Sequence, residues 1–205
     1  MCAVYTKCFD YGRKETEYLI QADPILGETM KRLGRVERVI IPDLFSALVH
    51  AIIGQLISIK AVKTIWSRMQ DKYGEITPAR LAAGTADDIQ SCGMTMKKAV
   101  CIHNIARQIA AGEFKLDGIA ELPDDEVIAK LTGLAGVGRW TAEMMLMNCL
   151  ERPDVVSWGD IAIRRGMMKL YGLPALTKRE FDQYRLKYSP YGSVASIYLW
   201  EISFA

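Results

Sequence analysis

The sequence predicts an all-α fold of about ten short helices, and three features carry that expectation. Apolar residues recur at helical spacing along most of the 205 residues, with no sustained alternation of the kind a strand needs. Ser, Thr and Asp stand just ahead of successive apolar runs, where their side chains can cap helix starts. Gly or Pro punctuates nearly every boundary. With 50% apolar composition the chain can bury one core or two small lobes, which excludes a disordered protein.

The elements follow in order. The first twelve residues carry no clear period and read as an irregular arm. Helical spacing runs from Lys14 to Ala22, and Asp23-Pro24 restarts a helix through Leu33, with Asp23 as N-cap, until Gly34 stops it. After a short VIIP segment, Asp43 can cap Leu44 to Ile53, whose apolar residues cover nearly every face and imply burial among other helices. Gly54-Gln55-Leu56-Ile57 breaks that helix, and Ser58 can cap Ile59 to Tyr73. Thr77-Pro78 opens a brief helix, and Thr85 with Asp88 has the form of a capping box before another. Thr95 to Ala111 is longer and carries Lys97 and Lys98 in its first turn, where cations oppose the helix dipole and an external anion would be welcome. Pro123-Asp124 begins a helix to Leu131. A hairpin, Thr132 to Gly138, leads into a helix from Arg139 to Leu150. Asp160 heads a helix to about Leu170, Thr177 and Glu180 box the next to Lys187, and Ser193 to Ile202 forms the last.

Net charge is only +2, so a nucleic-acid surface would have to be a local patch. The five cysteines, Cys2, Cys8, Cys92, Cys101 and Cys149, are scattered and contain no C-x-x-C pair, which points to reduced thiols in a cytoplasm rather than a disulfide scaffold or zinc site. No basic-then-apolar leader opens the sequence, and the best apolar run, Leu44 to Ile59, is interrupted by His50, Gly54 and Gln55, so no membrane partner is expected.

The most informative stretch is Leu131 to Asp160. Gly136 and Gly138 straddle Val137 just ahead of a helix, and glycine at both places allows positive φ and close approach of another backbone. N–H groups of Gly138, Arg139 and Trp140 would then meet an anion such as a DNA phosphate at a helix N-terminus. An isolated G-x-G is more often a tight turn; here it lies within L-x-G-V-G-R-W-T-A between two apolar helices.

These residues resemble the helix-hairpin-helix DNA glycosylase superfamily, in which such a hairpin is followed by a Gly/Pro-rich loop and a catalytic Asp. More narrowly, AIIGQLISIKA at 51–61, GVGRWTA at 136–142, GDIAIRRG at 159–166 and SIYLW at 196–200 resemble the 3-methyladenine DNA glycosylase II family, over roughly residues 40 to 205. The resemblance implies a two-lobed fold lacking the N-terminal α/β domain of some relatives. Residues 44–150 would form one lobe, ending in the motif at 131–150. Residues 1–43 and 151–205 would form the second lobe of one compact catalytic unit, with the cleft between them.

It also implies site residues. Asp160 would be the catalytic carboxylate, stabilising positive charge at C1′ as the N-glycosidic bond breaks, and orienting or deprotonating the attacking water. Amide N–H groups at a helix start favour a charged carboxylate there, so capping and catalysis are compatible. Trp140, Met144 and Trp200 would line the base pocket, where electron-rich rings attract a cationic base; Met144 replaces a family tyrosine and leaves the substrate range open. Leu56 would be the wedge that fills the gap left by a flipped base, with Gln55 beside it on the orphaned partner. Gly136, Gly138, Arg139 and Trp140 would hold phosphate. Lys97, Lys98, Arg164 and Arg165 are further cations expected near DNA.

The backbone carbonyls of Thr132, Leu134 and Val137 match a monovalent-cation site, for Na+ or K+, in relatives. No cofactor is required, and no iron-sulfur cluster is expected, because the last cysteine is Cys149. Strand-cleaving relatives carry a Schiff-base lysine where this chain has Trp140, so base excision without lyase activity is expected. The expected substrate is double-stranded DNA with an alkylated base of the 3-methyladenine or 7-methylguanine type, and the expected state is a cytoplasmic monomer, nucleoid-associated in a bacterium. Two other readings stay open: a non-catalytic helix-hairpin-helix DNA-binding module, and a glycosylase for oxidised or deaminated bases.

Overall fold

The computed structural model describes residues 4–204. In chain order the elements are strand β1 (Lys7–Cys8), helices α1 (Arg13–Ala22) and α2 (Pro24–Leu33), strand β2 (Val39–Ile40), helices α3 (Leu44–Gly54), α4 (Ile59–Tyr73), α5 (Pro78–Ala83), α6 (Ala86–Gln90) and α7 (Met96–Ala110), a 3-10 turn at Ile119–Glu121, and helices α8 (Asp124–Thr132), α9 (Arg139–Asn148), α10 (Ile161–Tyr171), α11 (Lys178–Tyr188) and α12 (Gly192–Phe204). The fold is all-α, with twelve α-helices among the described residues rather than about ten. The arm and the VIIP segment supply β1 and β2, which pair as a small sheet; two-residue strands are too short to show alternation in sequence.

Helix starts follow local chemistry. The carboxylates of Asp23 and Asp43 and the hydroxyls of Ser58, Thr77 and Thr95 accept backbone N–H bonds at the starts of α2, α3, α4, α5 and α7. Thr85 with Asp88 and Thr177 with Glu180 form reciprocal capping boxes at α6 and α11. Each such cap stabilises its helix by about 1 kcal/mol.

The chain divides into two compact units. Unit 1 comprises the described residues up to Lys7 together with Ile40–Leu150, and unit 2 comprises Cys8–Val39 and the residues from Glu151 on. In unit 1, α3 buries Phe45, Leu48, Val49, Ile52 and Ile53 and packs against α4, α7 and α9. Its all-round apolar surface is therefore spent inside the unit. In unit 2, α12 is buried on every face from Gly192 to Leu199 and packs along α10. The close contact needs Gly166, because a Cβ there would lie 2.0 Å from the Leu199 carbonyl oxygen.

Asp23 ties unit 2 together. Its Oδ1 caps α2, while its Oδ2 accepts from the Tyr171 hydroxyl at 2.7 Å and the Lys187 ammonium at 3.1 Å. Burial opposes the charge, but the Leu26 N–H, Tyr171 and Lys187 together hold this carboxyl below its usual range. Tyr171 ends α10, so this network fixes the far end of the helix that Asp160 begins.

Cys2 lies outside the described residues. Cys8, Cys92, Cys101 and Cys149 are free thiols.

Candidate active-site residues

The hairpin is built from the inside out. Leu134 and Val137 turn their side chains into unit 1 and are buried, and the Val137 N–H donates to the Leu134 carbonyl at 3.0 Å, which closes the turn. Gly136 adopts φ +87, and a Cβ there would lie 2.6 Å from the Cys101 sulfur, so glycine is required twice over. Cys101 Sγ itself donates to the Ala135 carbonyl at 3.1 Å. Gly138 differs from the sequence expectation. Its φ is −92, an ordinary extended conformation, and nothing lies within 4 Å of where its Cβ would be. Of the two hairpin glycines only Gly136 has positive φ, and Gly138 as N-cap gives α9 no side-chain cap.

Arg139 opens α9 on the surface, its Nε bonded to Glu143 Oε1 at 2.8 Å. Trp140 is half-buried in the first turn of α9, and Met144, one turn on, is buried with its sulfur accepting from Asn148. Residues four apart share a helix face, so the pair presents one surface.

Beside the hairpin, the loop between α3 and α4 carries Leu56 at φ +57 and 95% exposed. It is not a core leucine. Gln55 Nε2, the amide expected beside an orphaned base, donates to the Gly136 carbonyl at 3.2 Å and to Thr141 Oγ1 at 3.0 Å. A neutral amide beside a turn carbonyl finds a fixed acceptor before DNA arrives.

In unit 2, Asp160 is the N-cap of α10 and only 7% exposed. Its Oδ1 accepts from the N–H groups of Ala162 at 2.9 Å and Ile163 at 3.0 Å. The loop before it is fastened to α12: Ser193 Oγ accepts from the Val155 N–H, Ser196 Oγ donates to the Val155 carbonyl, and Asp154 accepts from the Gly192 N–H and the Ser189 hydroxyl. Trp200, on the same helix, is 8% exposed, and the Arg38 guanidinium lies 4.1 Å from its ring centre. Burial lowers the Arg38 pKa, and the charge of Asp160 opposes that fall, so the two groups feel one another within this unit. The result is a buried carboxylate on a braced helix start, electrostatically coupled to a cation on a tryptophan face.

Residues 49–190, which include both the hairpin and Asp160, match the family model described as HhH-GPD superfamily base excision DNA repair protein. The chain belongs to this superfamily. It is 31% identical over 167 residues to DNA-3-methyladenine glycosylase 1 of Schizosaccharomyces pombe, covering 78% of this chain and 72% of that protein. It is 26% identical to DNA-3-methyladenine glycosylase of Bacillus subtilis, covering 95% of this chain and 69% of the relative. Among solved structures, the Schizosaccharomyces pombe 3-methyladenine DNA glycosylase in complex with abasic DNA superposes with TM-score 0.84 at 26% identity, over 92% of this chain and 96% of that one.

Several residues of this HhH-GPD protein do something other than their spacing suggests. Lys98 does not wait for an outside anion: its Nζ donates to the carbonyls of Ile53 at 2.8 Å and Gln55 at 2.6 Å. The guanidinium of Arg164 lies 4.7 Å from the Trp158 ring centre, while Lys97 and Arg165 are exposed. The Thr132 hydroxyl turns back to the Ile128 carbonyl at 2.7 Å. Among the carbonyls of Thr132, Leu134 and Val137, that of Leu134 accepts the Val137 N–H and retains a second lone pair. No cluster of three or more His, Cys, Asp or Glu suited to a metal ion occurs among the described residues.

Arg38, Ser193 and Ser196 escaped the sequence reading. Two serines inside the apolar run SVASIYLW are a signal, since hydroxyls buried there need partners. Arg38 offers no comparable signal, because its contact with Trp200 spans most of the chain.

Proposed function

We propose that this protein is a monofunctional DNA glycosylase that removes alkylated bases, of the 3-methyladenine or 7-methylguanine type, from double-stranded DNA in base excision repair. The observation that carries the reading is Asp160: a buried carboxylate fixed by two backbone N–H groups, inside the segment that matches the superfamily. Its relatives named as 3-methyladenine glycosylases support the choice of lesion.

The steps follow from this chemistry. The N-terminus of α9 and the turn at Gly136 hold a phosphate without reading sequence. Leu56 enters the stack as the damaged base leaves it, and the base is received against Trp140 and Met144. The C1′–N bond then breaks with its electron pair going to the base. An alkylated purine that already carries positive charge departs without prior protonation, so one carboxylate suffices. Asp160 stabilises the positive charge growing at C1′, and water adds there, its oxygen bonding C1′ and its proton passing to the Asp160 carboxylate and on to solvent. No enzyme amine captures the sugar, because an indole occupies the hairpin position where a Schiff-base lysine would be needed, so the strand stays intact. We include a Na+ or K+ on the carbonyls of Thr132, Leu134 and Val137, no other cofactor, a monomeric state, and work in a reducing cytoplasm.

The test is release of free 3-methyladenine from methylated duplex DNA. Wild type releases it and leaves an unbroken abasic strand, whereas Asp160→Asn releases it at least about 100-fold more slowly. Equal release by both proteins removes the assignment of Asp160. Salt-sensitive duplex binding without any release identifies a DNA-binding module instead.

A further inference from the structure

The turn that carries Leu56 is held by a side chain that takes no part in the chemistry. Leu56 combines two unfavourable features, a left-handed backbone at φ +57 and a side chain 95% exposed to water. A leucine keeps both only where neighbouring bonds dictate the backbone. Helix α3 ends at Gly54, and the last carbonyls of a helix have no partner within it. Lys98 reaches across from the first turn of α7 and gives its Nζ to two of these oxygens, on Ile53 at 2.8 Å and Gln55 at 2.6 Å. The Gln55 carbonyl belongs to the peptide unit that precedes Leu56, so fixing that oxygen fixes the plane about which the Leu56 φ is set.

Further bonds fasten the turn on both sides of Leu56. Gln55 Nε2 is bonded to the hairpin at Gly136 and Thr141, and Ser58 Oγ accepts the Ala61 N–H to start α4. A compact ammonium with three donors suits a pair of converging carbonyls, which explains a cation at a helix start where the dipole disfavours it. Burial among these groups lowers the Lys98 pKa. The proton is nonetheless what supplies the bonds.

We propose that Lys98 is a positioning residue that holds Leu56 in its projected conformation before DNA binds, with Gln55 tying the same turn to the phosphate-binding hairpin. This rests on the reading of Leu56 as the wedge. A turn set in advance does not have to be ordered as the base leaves the stack, so Lys98 acts on opening of the duplex rather than on bond cleavage.

The test compares wild type, Lys98→Met, Leu56→Ala and the double variant on one methylated sequence, as duplex and as single strand. Lys98→Met keeps the aliphatic stem and removes the donors. Its ratio of duplex to single-strand release is expected to fall about tenfold, as loss of charge-assisted hydrogen bonds implies. Adding Lys98→Met to Leu56→Ala is expected to lower that ratio no further, since no wedge remains to be positioned. Lys98→Arg, which can still donate to both carbonyls, recovers much of the ratio. Equal losses on the two substrates, or a full second loss in the Leu56→Ala background, overturn the inference while leaving the glycosylase reading intact. Should Lys98→Met not fold, Lys98→Gln serves in its place, and a wild-type ratio in that variant is equally contrary. A wild-type protein that releases no base removes the glycosylase reading, and this inference with it.

Discussion

Helix α9 begins at Gly138, an N-cap residue that gives no side-chain cap, whereas α10 begins at Asp160, whose own Oδ1 accepts from Ala162 and Ile163. Both starts concentrate the positive end of a helix, and they use it oppositely. At α9 the N-cap residue supplies no anion of its own, and the proposed guest is a phosphate from outside. At α10 the anion is built in, buried and held at one orientation. A helix start without a cap suits recognition of a repeating backbone, and a helix start with a carboxylate cap suits chemistry at one atom. The two hairpin glycines differ as well. Gly136 is demanded by the protein, through φ +87 and the Cys101 sulfur, while Gly138 is an extended N-cap residue with open space where its Cβ would be.

Substitutions at these positions should separate the two uses, beginning with the largest effect. Asp160→Asn should slow base release by about 100-fold or more while leaving the melting temperature nearly unchanged, because Asn caps a helix about as well as Asp. Activity with a normal rate would remove the distinction between the two helix starts. Gly136→Ala should be felt in stability: positive φ and the clash with Cys101 together cost about 1–3 kcal/mol, read as a fall in melting temperature of about 2–4 °C per kcal/mol. Gly138→Ala should melt close to the wild-type temperature, since its extended backbone suits any residue and the entropy gained in the unfolded chain offsets the poorer N-cap, yet bind duplex DNA about tenfold more weakly as the new methyl stands where the proposed phosphate comes. Gly138→Ala with unaltered affinity would make the start of α9 a turn and nothing more. Arg139→Gln should have the smallest effect, reducing the slope of log Kd against log salt by about one, with only a small change in stability because the Arg139 side chain is 69% exposed, although its partner Glu143 is largely covered.

Features written in consecutive residues were legible in the sequence. Asp23, Asp43, Ser58, Thr95 and the boxes at Thr85 and Thr177 cap the helices their positions suggest, since a cap needs only its own next three residues. The hairpin and Asp160 could be found for the same reason. What stayed hidden depends on partners far along the chain. The destination of Lys98 on the α3 carbonyls, the engagement of Gln55 with the hairpin and the stacking of Arg38 on Trp200 follow from packing, and no local period encodes them. The φ of Gly138 is not readable from its identity, because glycine permits positive φ without requiring it. Strands of two residues and the 3-10 turn at Ile119–Glu121 are too short to leave a pattern.

The division between the two helix starts is best tested by single-turnover release of 3-methyladenine from methylated duplex DNA, titrated with wild type, Asp160→Asn and Gly138→Ala. The prediction is that Asp160→Asn loses maximal rate with its half-saturating concentration preserved, while Gly138→Ala keeps much of its maximal rate and needs more protein to reach it. If both variants lose the same parameter, or if Asp160→Asn weakens binding while retaining rate, the division is wrong.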